Sequence, residues 1–344
     1  MAKVTYLFGA GASAGTEKRP GLPVVDQLPD RIFELIKEIS RKNLLLADSK
    51  PFKRQTKKDY QQQLIGDLKW VAEEADKHAS VDTFAKKLFL KGEKGNADLR
   101  TLKIALSIFF ILEQGRKPVD VRYDAFFASI LNETPTKFPE HIRILSWNYD
   151  YQFEKAHSGF SDSTDLVGCQ QEVRVFSKFD DGRLLPGHFV IIKLNGTTGF
   201  FEGQMHQYRP RNISSGFDLK MMEEVISLYA DFKTDTDQNL YPLLSFAWEQ
   251  EGLEGETIVD KAIICTQDTD ILVVIGYSFP FFNREIDRKI IGAMKNLSKV
   301  YIQSPDAEKI KTRFQTIRSD FHHPSNLVVY DEVQSFLLPD ELEL

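Results

Sequence analysis

Six short stretches rich in β-branched and aromatic residues decide what this chain can fold into: residues 4–8, 142–147, 189–194, 271–275, 300–303 and 327–330. Each is a nearly unbroken apolar run bounded by turn residues, whereas a half-exposed strand alternates. Unbroken runs of this length belong to strands covered on both faces, as in parallel sheets with helices above and below. The sequence therefore predicts an α/β fold, a Rossmann-like, mostly parallel sheet with helices on both faces. About 130 residues separate the first two runs, far more than an ordinary crossover needs, so a large insertion follows the first strand.

That insertion reads as helical. Leu28, Ile32, Leu35, Ile36 and Ile39 form one apolar stripe behind an Asp26 cap and a first-turn Pro29. Tyr60, Leu64, Leu68, Val71 and Ala75 form a second stripe, residues 99–112 are apolar nearly all round, and Phe126, Phe127, Ile130 and Leu131 end another helix. The expected organisation is a core of 1–26, 139–196 and 262–335, a helical insertion at 27–138, a second insertion or lid at 197–261, and an acidic tail at 336–344. The basic stretch 37–59 reads first as a solvated face, with a binding patch as the alternative. The terminal residues 331–344 carry five carboxylates among Val333, Phe336, Leu337, Leu338, Leu342 and Leu344. They suit docking either on the chain's own core or on a partner.

Composition narrows the function classes. The 344 residues are 42% hydrophobic, ample for a large core. Lys and Arg number 44 against 50 Asp and Glu, so a phosphate-coating, directly sequence-reading nucleic-acid binder is not expected. The longest apolar stretches fall short of the ~20 residues of a membrane span, and the expected setting is cytoplasmic, without membrane. Only Cys169 and Cys265 occur, which excludes a cysteine-based zinc ribbon and suits a reducing compartment.

The chemistry concentrates where apolar runs end. Residues 4–8 lead straight into Gly9-Ala10-Gly11-Ala12-Ser13-Ala14-Gly15. Glycines after a first strand let backbone approach a pyrophosphate, and small residues also serve any tight strand-to-helix turn. The acid that ordinary dehydrogenases carry about 20 residues on, at a second strand end, has no counterpart here. The later runs end in Asn148-Tyr149-Asp150, in Asn195-Gly196-Thr197 and in Gly276-Tyr277-Ser278-Phe279. Open α/β sheets bind ligands at such strand ends. For Asn148 and Asp150 the plainer alternative is an Asx turn.

Taken together, Gly9-Ala10-Gly11-Ala12-Ser13, Gly21-Leu22-Pro23, Trp147-Asn148-Tyr149-Asp150, Lys193-Leu194-Asn195-Gly196 and Ile275-Gly276-Tyr277-Ser278-Phe279 resemble, in order, the motifs of the sirtuin family. The absence of zinc cysteines and the helical insertion resemble its zinc-free branch of bacterial NAD-hydrolysing defence proteins. The resemblance implies an NAD site, with NAD as substrate and no zinc. Pyrophosphate would lie on Gly9, Ala10, Gly11, Ala12 and Ser13, with Pro23 in the cofactor loop. Nicotinamide and its ribose would lie near Asn148, Asp150, Asn195 and Gly196, and the adenosine side at Gly276, Ser278 and Gln303 or Ser304. It further implies a homo-oligomer and a HerA-type ATPase or other antiphage-defence partner.

Asn195 stands where the family carries its catalytic histidine. An amide holds a hydroxyl by hydrogen bonds but has no proton affinity near neutral pH. Deacylation needs a base to deprotonate a ribose hydroxyl, and losing one typically costs ~10²–10⁴ in rate. Cleavage of the nicotinamide–ribose bond is less demanding, because a neutral molecule leaves a cationic pyridinium. Asn195 therefore weighs more against a protein deacylase than against an NAD⁺ glycohydrolase releasing ADP-ribose and nicotinamide, with Asn148, Asp150 and Asn195 as its catalytic candidates. The alternative is a catalytically weak NAD- or ADP-ribose-binding subunit of an ATPase assembly. His157 and His206 are the residues that could fold back to replace the missing histidine.

Overall fold

A computed structural model describes residues 1–41, 57–163, 166–178, 184–202, 207–208, 217–235, 240–249, 256–321, 323 and 325–342. His206 and most of the basic stretch 37–59 lie outside them. The chain divides into two compact units. One comprises Met1–Leu22, Val119–Thr197 and Ser245–Leu344, the other Pro23–Pro118 and Thr198–Leu244.

The first unit carries seven strands: β1 (Val4–Phe8), β2 (Ile142–Ser146), β3 (Val175–Phe176), β4 (Val190–Lys193), β5 (Ile271–Ile275), β6 (Lys299–Gln303) and β7 (Leu327–Tyr330). All pair in parallel in the order β7-β6-β5-β1-β2-β4-β3, a Rossmann-like α/β arrangement. Val4 lies opposite both Ile271 and Ile142, and Phe8 opposite both Ile275 and Ser146. The carboxyl ends of β5, β1 and β2 are thus level. The chain leaves β1 on one side for β2 and returns on the other side at β5, which makes β1 the topological switch point.

Residue parity explains the unbroken apolar runs. Val4, Tyr6, Phe8, Ile142, Ile144, Ile271, Val273 and Ile275 share one cluster with Tyr123, Phe126, Phe127, Ile130 and Phe153. Their neighbours of opposite parity, Thr5, Leu7, Leu145, Leu272 and Val274, are equally buried. Both sheet faces are therefore covered, which is why the runs are nearly unbroken.

Three features differ from expectation or choose between alternatives. Helix Val121–Ile130 belongs to this unit and not to a helical segment ending at 138, because its aromatic face packs against Phe8 and Tyr6. The edge strand β3 escapes the sequence pattern, since two residues make no recognisable run. The terminal segment docks on its own core: Phe336 and Leu342 join the cluster, and the Glu341 carboxylate receives hydrogen bonds from Lys299 Nζ (2.6 Å) and Tyr301 OH (2.9 Å).

The second unit contains helices Leu28–Arg41, Lys57–Lys77, Val81–Leu90, Glu93–Arg116 and Leu219–Thr234. Leu28, Ile32, Leu35 and Ile39 are buried, as are Tyr60, Leu64, Leu68, Val71 and Ala75. Asp26 lies in a 3-10 turn, Val25–Gln27, that leads into the first helix. Glu113, with no exposed side-chain surface, is bridged by Arg31 and Arg116.

Candidate functional site

The loop after β1 is stitched to the loop after β5. Residues Ala10–Ser13 form a 3-10 turn. Gly9 N donates to Ile275 O (3.0 Å), Gly11 N to Gly276 O (2.9 Å) and Ala12 N to Gly9 O (2.8 Å). A Cβ on Gly9 would lie 2.6 Å from Tyr277 Cα, and Gly276, at φ +60°, packs on the backbone of Gly11 and Ala12. The glycines thus have a packing reason: two strand-end loops touch backbone to backbone at the switch point. The amides of Gly9, Gly11 and Ala12 are committed to the chain's own carbonyls, and Ala10 is the exposed member of the turn.

Ser13, Asn148 and Asp150 come together beside these loops, all buried. Ser13 Oγ donates to Asp150 Oδ2 (2.6 Å), and Asn148 Nδ2 donates to Ser13 Oγ (3.1 Å) and to Gly9 O (3.0 Å). Tyr123 OH stands 2.8 Å from Ser13 Oγ. A hydroxyl has one proton and two lone pairs. Since the Ser13 proton goes to a carboxylate, its lone pairs must receive Asn148 Nδ2 and Tyr123 O–H, which fixes the direction of every bond. Asp150 Oδ1 accepts from Gln152 N (3.1 Å). Burial, and after it the Asp150 charge, push the Tyr123 phenol well above its ordinary value, so it remains a donor.

Beneath Asp150 lies a fully buried ion pair. Lys193 Nζ, from the last residue of β4, donates to the Asp150 main-chain carbonyl and stands 3.4 Å from Glu154 Oε2, with neither side chain exposed. Burial raises the Glu154 carboxyl above its usual value, and the Lys193 charge opposes the rise.

Comparison of the sequence with family models gives no match, and comparison with curated protein sequences gives none.

Asn195 is buried and its amide is engaged at both ends. Nδ2 donates to Trp147 O (3.4 Å), Oδ1 accepts from Ala247 N (3.1 Å), and its carbonyl accepts from Ser245 N (3.0 Å). It clamps the ends of β2 and β4 to the segment 245–247. Gly196 follows at φ +68°. His157 does not fill the histidine's place. It is fully buried, with Nε2 2.7 Å from Pro135 O, Nδ1 3.4 Å from Glu172 and its ring against Phe127 and Phe138.

On the other flank of β1, Ser278 is exposed, and its carbonyl accepts from Arg313 Nη1 (2.9 Å). Ser304 Oγ accepts from Asp306 N (3.3 Å). Gln303, one of the two candidates for ribose contact, has its amide consumed by the terminal segment: Nε2 donates to Glu332 O and Ser335 O, both at 2.7 Å, and Oε1 accepts from Leu337 N (3.0 Å). Pro23 is buried and opens the second unit.

Among the described residues no group of three or more His, Cys, Asp or Glu is placed to hold a metal ion, and no helix is long and apolar enough to cross a membrane. Burial pushes the Cys265 thiol up to about 11, which makes it a poor nucleophile. Sequence reasoning missed Tyr123, Arg122, Gln152, Lys193 and Glu154. Only Lys193 left a usable signal, a lone cation closing the otherwise apolar run Phe189-Val190-Ile191-Ile192.

Proposed function

We propose that the sheet-bearing unit hydrolyses NAD⁺ to ADP-ribose and nicotinamide. The observation that carries the reading is the buried Asn148–Ser13–Asp150 hydrogen-bond unit at the carboxyl ends of β1 and β2, beside the switch point where open α/β sheets take ligands. In this reading the C1′–N bond breaks with its electron pair going to nicotinamide, which leaves neutral. Water bonds to C1′ and gives up a proton. The work left to the protein is electrostatic: a fixed negative charge near the developing ribosyl cation and a dipole to orient the ribose. Asp150, held by Ser13 and Gln152 N, supplies the charge, and the Asn148 side chain supplies the dipole. Neither role requires a histidine.

The proposal extends to context. A constitutive NAD⁺ hydrolase would drain its host, so the chain acts as a latent cytoplasmic effector of prokaryotic antiphage defence. It assembles as a homo-oligomer and is switched on by a trigger or a partner such as a HerA-type ATPase. The direct test follows nicotinamide by chromatography after incubation with NAD⁺, alone and with cell extracts carrying a trigger. Turnover that Asn148→Ala abolishes is expected; silence under every condition refutes the reading.

One observation favours a second reading, a catalytically weak NAD- or ADP-ribose-binding subunit. Asn195 has spent its amide on Trp147 and Ala247, so the position offers no proton acceptor. Calorimetry separates the two, because tight NAD⁺ binding without hydrolysis, unchanged in Asn195→His, supports the subunit.

A further inference from the structure

We propose that Tyr123 and Arg122, adjacent in the first turn of helix Val121–Ile130, are positioning residues that orient Ser13 and through it Asp150. The inference rests on the NAD⁺-hydrolase reading of the site. Arg122 is buried, and its Nη2 donates to Ala12 O (2.7 Å), the carbonyl next to Ser13. It is itself held by Asp120, whose Oδ2 accepts from Nη2 (2.6 Å) and whose Oδ1 caps the helix at Arg122 N (3.0 Å). Asp120 N donates to Gln152 Oε1 (2.9 Å), and Gln152 N donates to Asp150 Oδ1. The circuit closes on itself: Asp150, Gln152, Asp120, Arg122, the Ala12–Ser13 turn and back to Asp150.

Packing does not account for the Tyr123 hydroxyl. The ring sits among Phe8, Phe153 and Phe336 at centroid separations of 5.9, 4.8 and 4.9 Å, where a phenylalanine would fill the same space. Burying a hydroxyl there costs free energy unless it is bonded, and the bond it makes is to Ser13 Oγ. By filling one Ser13 lone pair, Tyr123 leaves the Ser13 proton no course but Asp150. Without that bond the Ser13 oxygen keeps only Asn148 Nδ2 as a donor to hold it in place, and its bond to Asp150 is less firmly fixed.

The test uses the full-length protein and NAD⁺. Tyr123→Phe is expected to melt with the wild type and keep its KM, while kcat falls on the order of tenfold. In a Ser13→Ala background the same substitution is expected to add nothing, since Tyr123 acts through Ser13. Unchanged kcat in Tyr123→Phe, or full additivity with Ser13→Ala, overturns the proposal while leaving the hydrolase reading intact. Absence of turnover in the wild type under every condition overturns that reading, and the proposal with it, before any substitution is compared.

Discussion

Replacing Lys193 by methionine keeps most of the side chain's volume and removes its charge. The lysine is fully buried and makes two polar contacts, to the Asp150 main-chain carbonyl and to Glu154 Oε2 at 3.4 Å, with the Phe153 ring 5.8 Å away. The substitution leaves Glu154 without its cation, with Gln170 Nε2 at 3.5 Å as its remaining side-chain donor. Stranding one member of a buried pair costs about 3–5 kcal/mol. Lys193→Met is therefore expected to lose about that much unfolding free energy at pH 7 in urea titrations followed by circular dichroism. The loss has a pH signature. Burial already raises the Glu154 carboxyl, with Lys193 opposing it, and removing Lys193 raises it further. A raised folded-state value means stability that is present at low pH and lost as pH rises through that value. The deficit should accordingly shrink on acidification, as Glu154 takes up a proton and no longer needs a cation. Glu154→Gln combined with Lys193→Met, which strands no charge, should recover much of the loss at pH 7. A deficit under about 1 kcal/mol, a double variant no better than the single, or a deficit that grows on acidification would each refute the reasoning.

Three further outcomes are expected. Gly276→Ala places a side chain at φ +60° against the Ala12 amide, and should destabilise by more than the roughly 1–2 kcal/mol of the left-handed conformation alone; a melting temperature equal to the wild type's would contradict the loop packing. Asn195→Leu removes the acceptor for Ala247 N and should cost about 1–3 kcal/mol in denaturant titrations, so a variant as stable as the parent would show that the amide clamp is unimportant. Asp287 is buried with Tyr277 OH 2.9 Å from Oδ2, and burial holds its carboxyl well above the ordinary carboxylate value although the Tyr277 bond opposes this. Its contribution is present below the unfolded-state value near 3.9 and is lost as pH rises through the folded-state value. Asp287→Asn should flatten that decline, and an unchanged pH–stability curve would rule it out.

The sheet was legible because burial on both faces leaves a one-dimensional trace: Val4-Thr5-Tyr6-Leu7-Phe8 is apolar but for one hydrogen-bonded threonine because Tyr6 and Leu7 face opposite covered sides. The same logic exposed the helical stripes 28–39 and 60–75. The strand-end polar residues Asn148 and Asp150 were visible for the converse reason, as polarity appearing where an apolar run stops. What stayed hidden is what sequence distance hides. Tyr123 reads as one more aromatic in a helix, and only the fold brings it to Ser13, 110 positions away. Gln303 reads as a ribose ligand at a strand end until the terminal segment is seen to take its amide. Asn195 reads as a lost histidine, and its structural use becomes apparent only when Ala247 lies against it.

The position of β1 bears on how the chain reaches this state. Its two neighbours are β2 and β5, and the aromatic cluster around Phe8 is completed by Phe336. Within this chain β1 thus has no hydrogen-bonding neighbour until Ile142 has been made, and the aromatic cluster on its Phe8 face is incomplete until Phe336 follows. The second unit's helices within Pro23–Pro118 form from segments local to one another and can order earlier. Assembly of the sheet is a late, non-local event, of the kind that slows folding and leaves a strand edge exposed while it waits. A strand of five residues followed directly by small, tight glycines offers little length for mispairing during that interval.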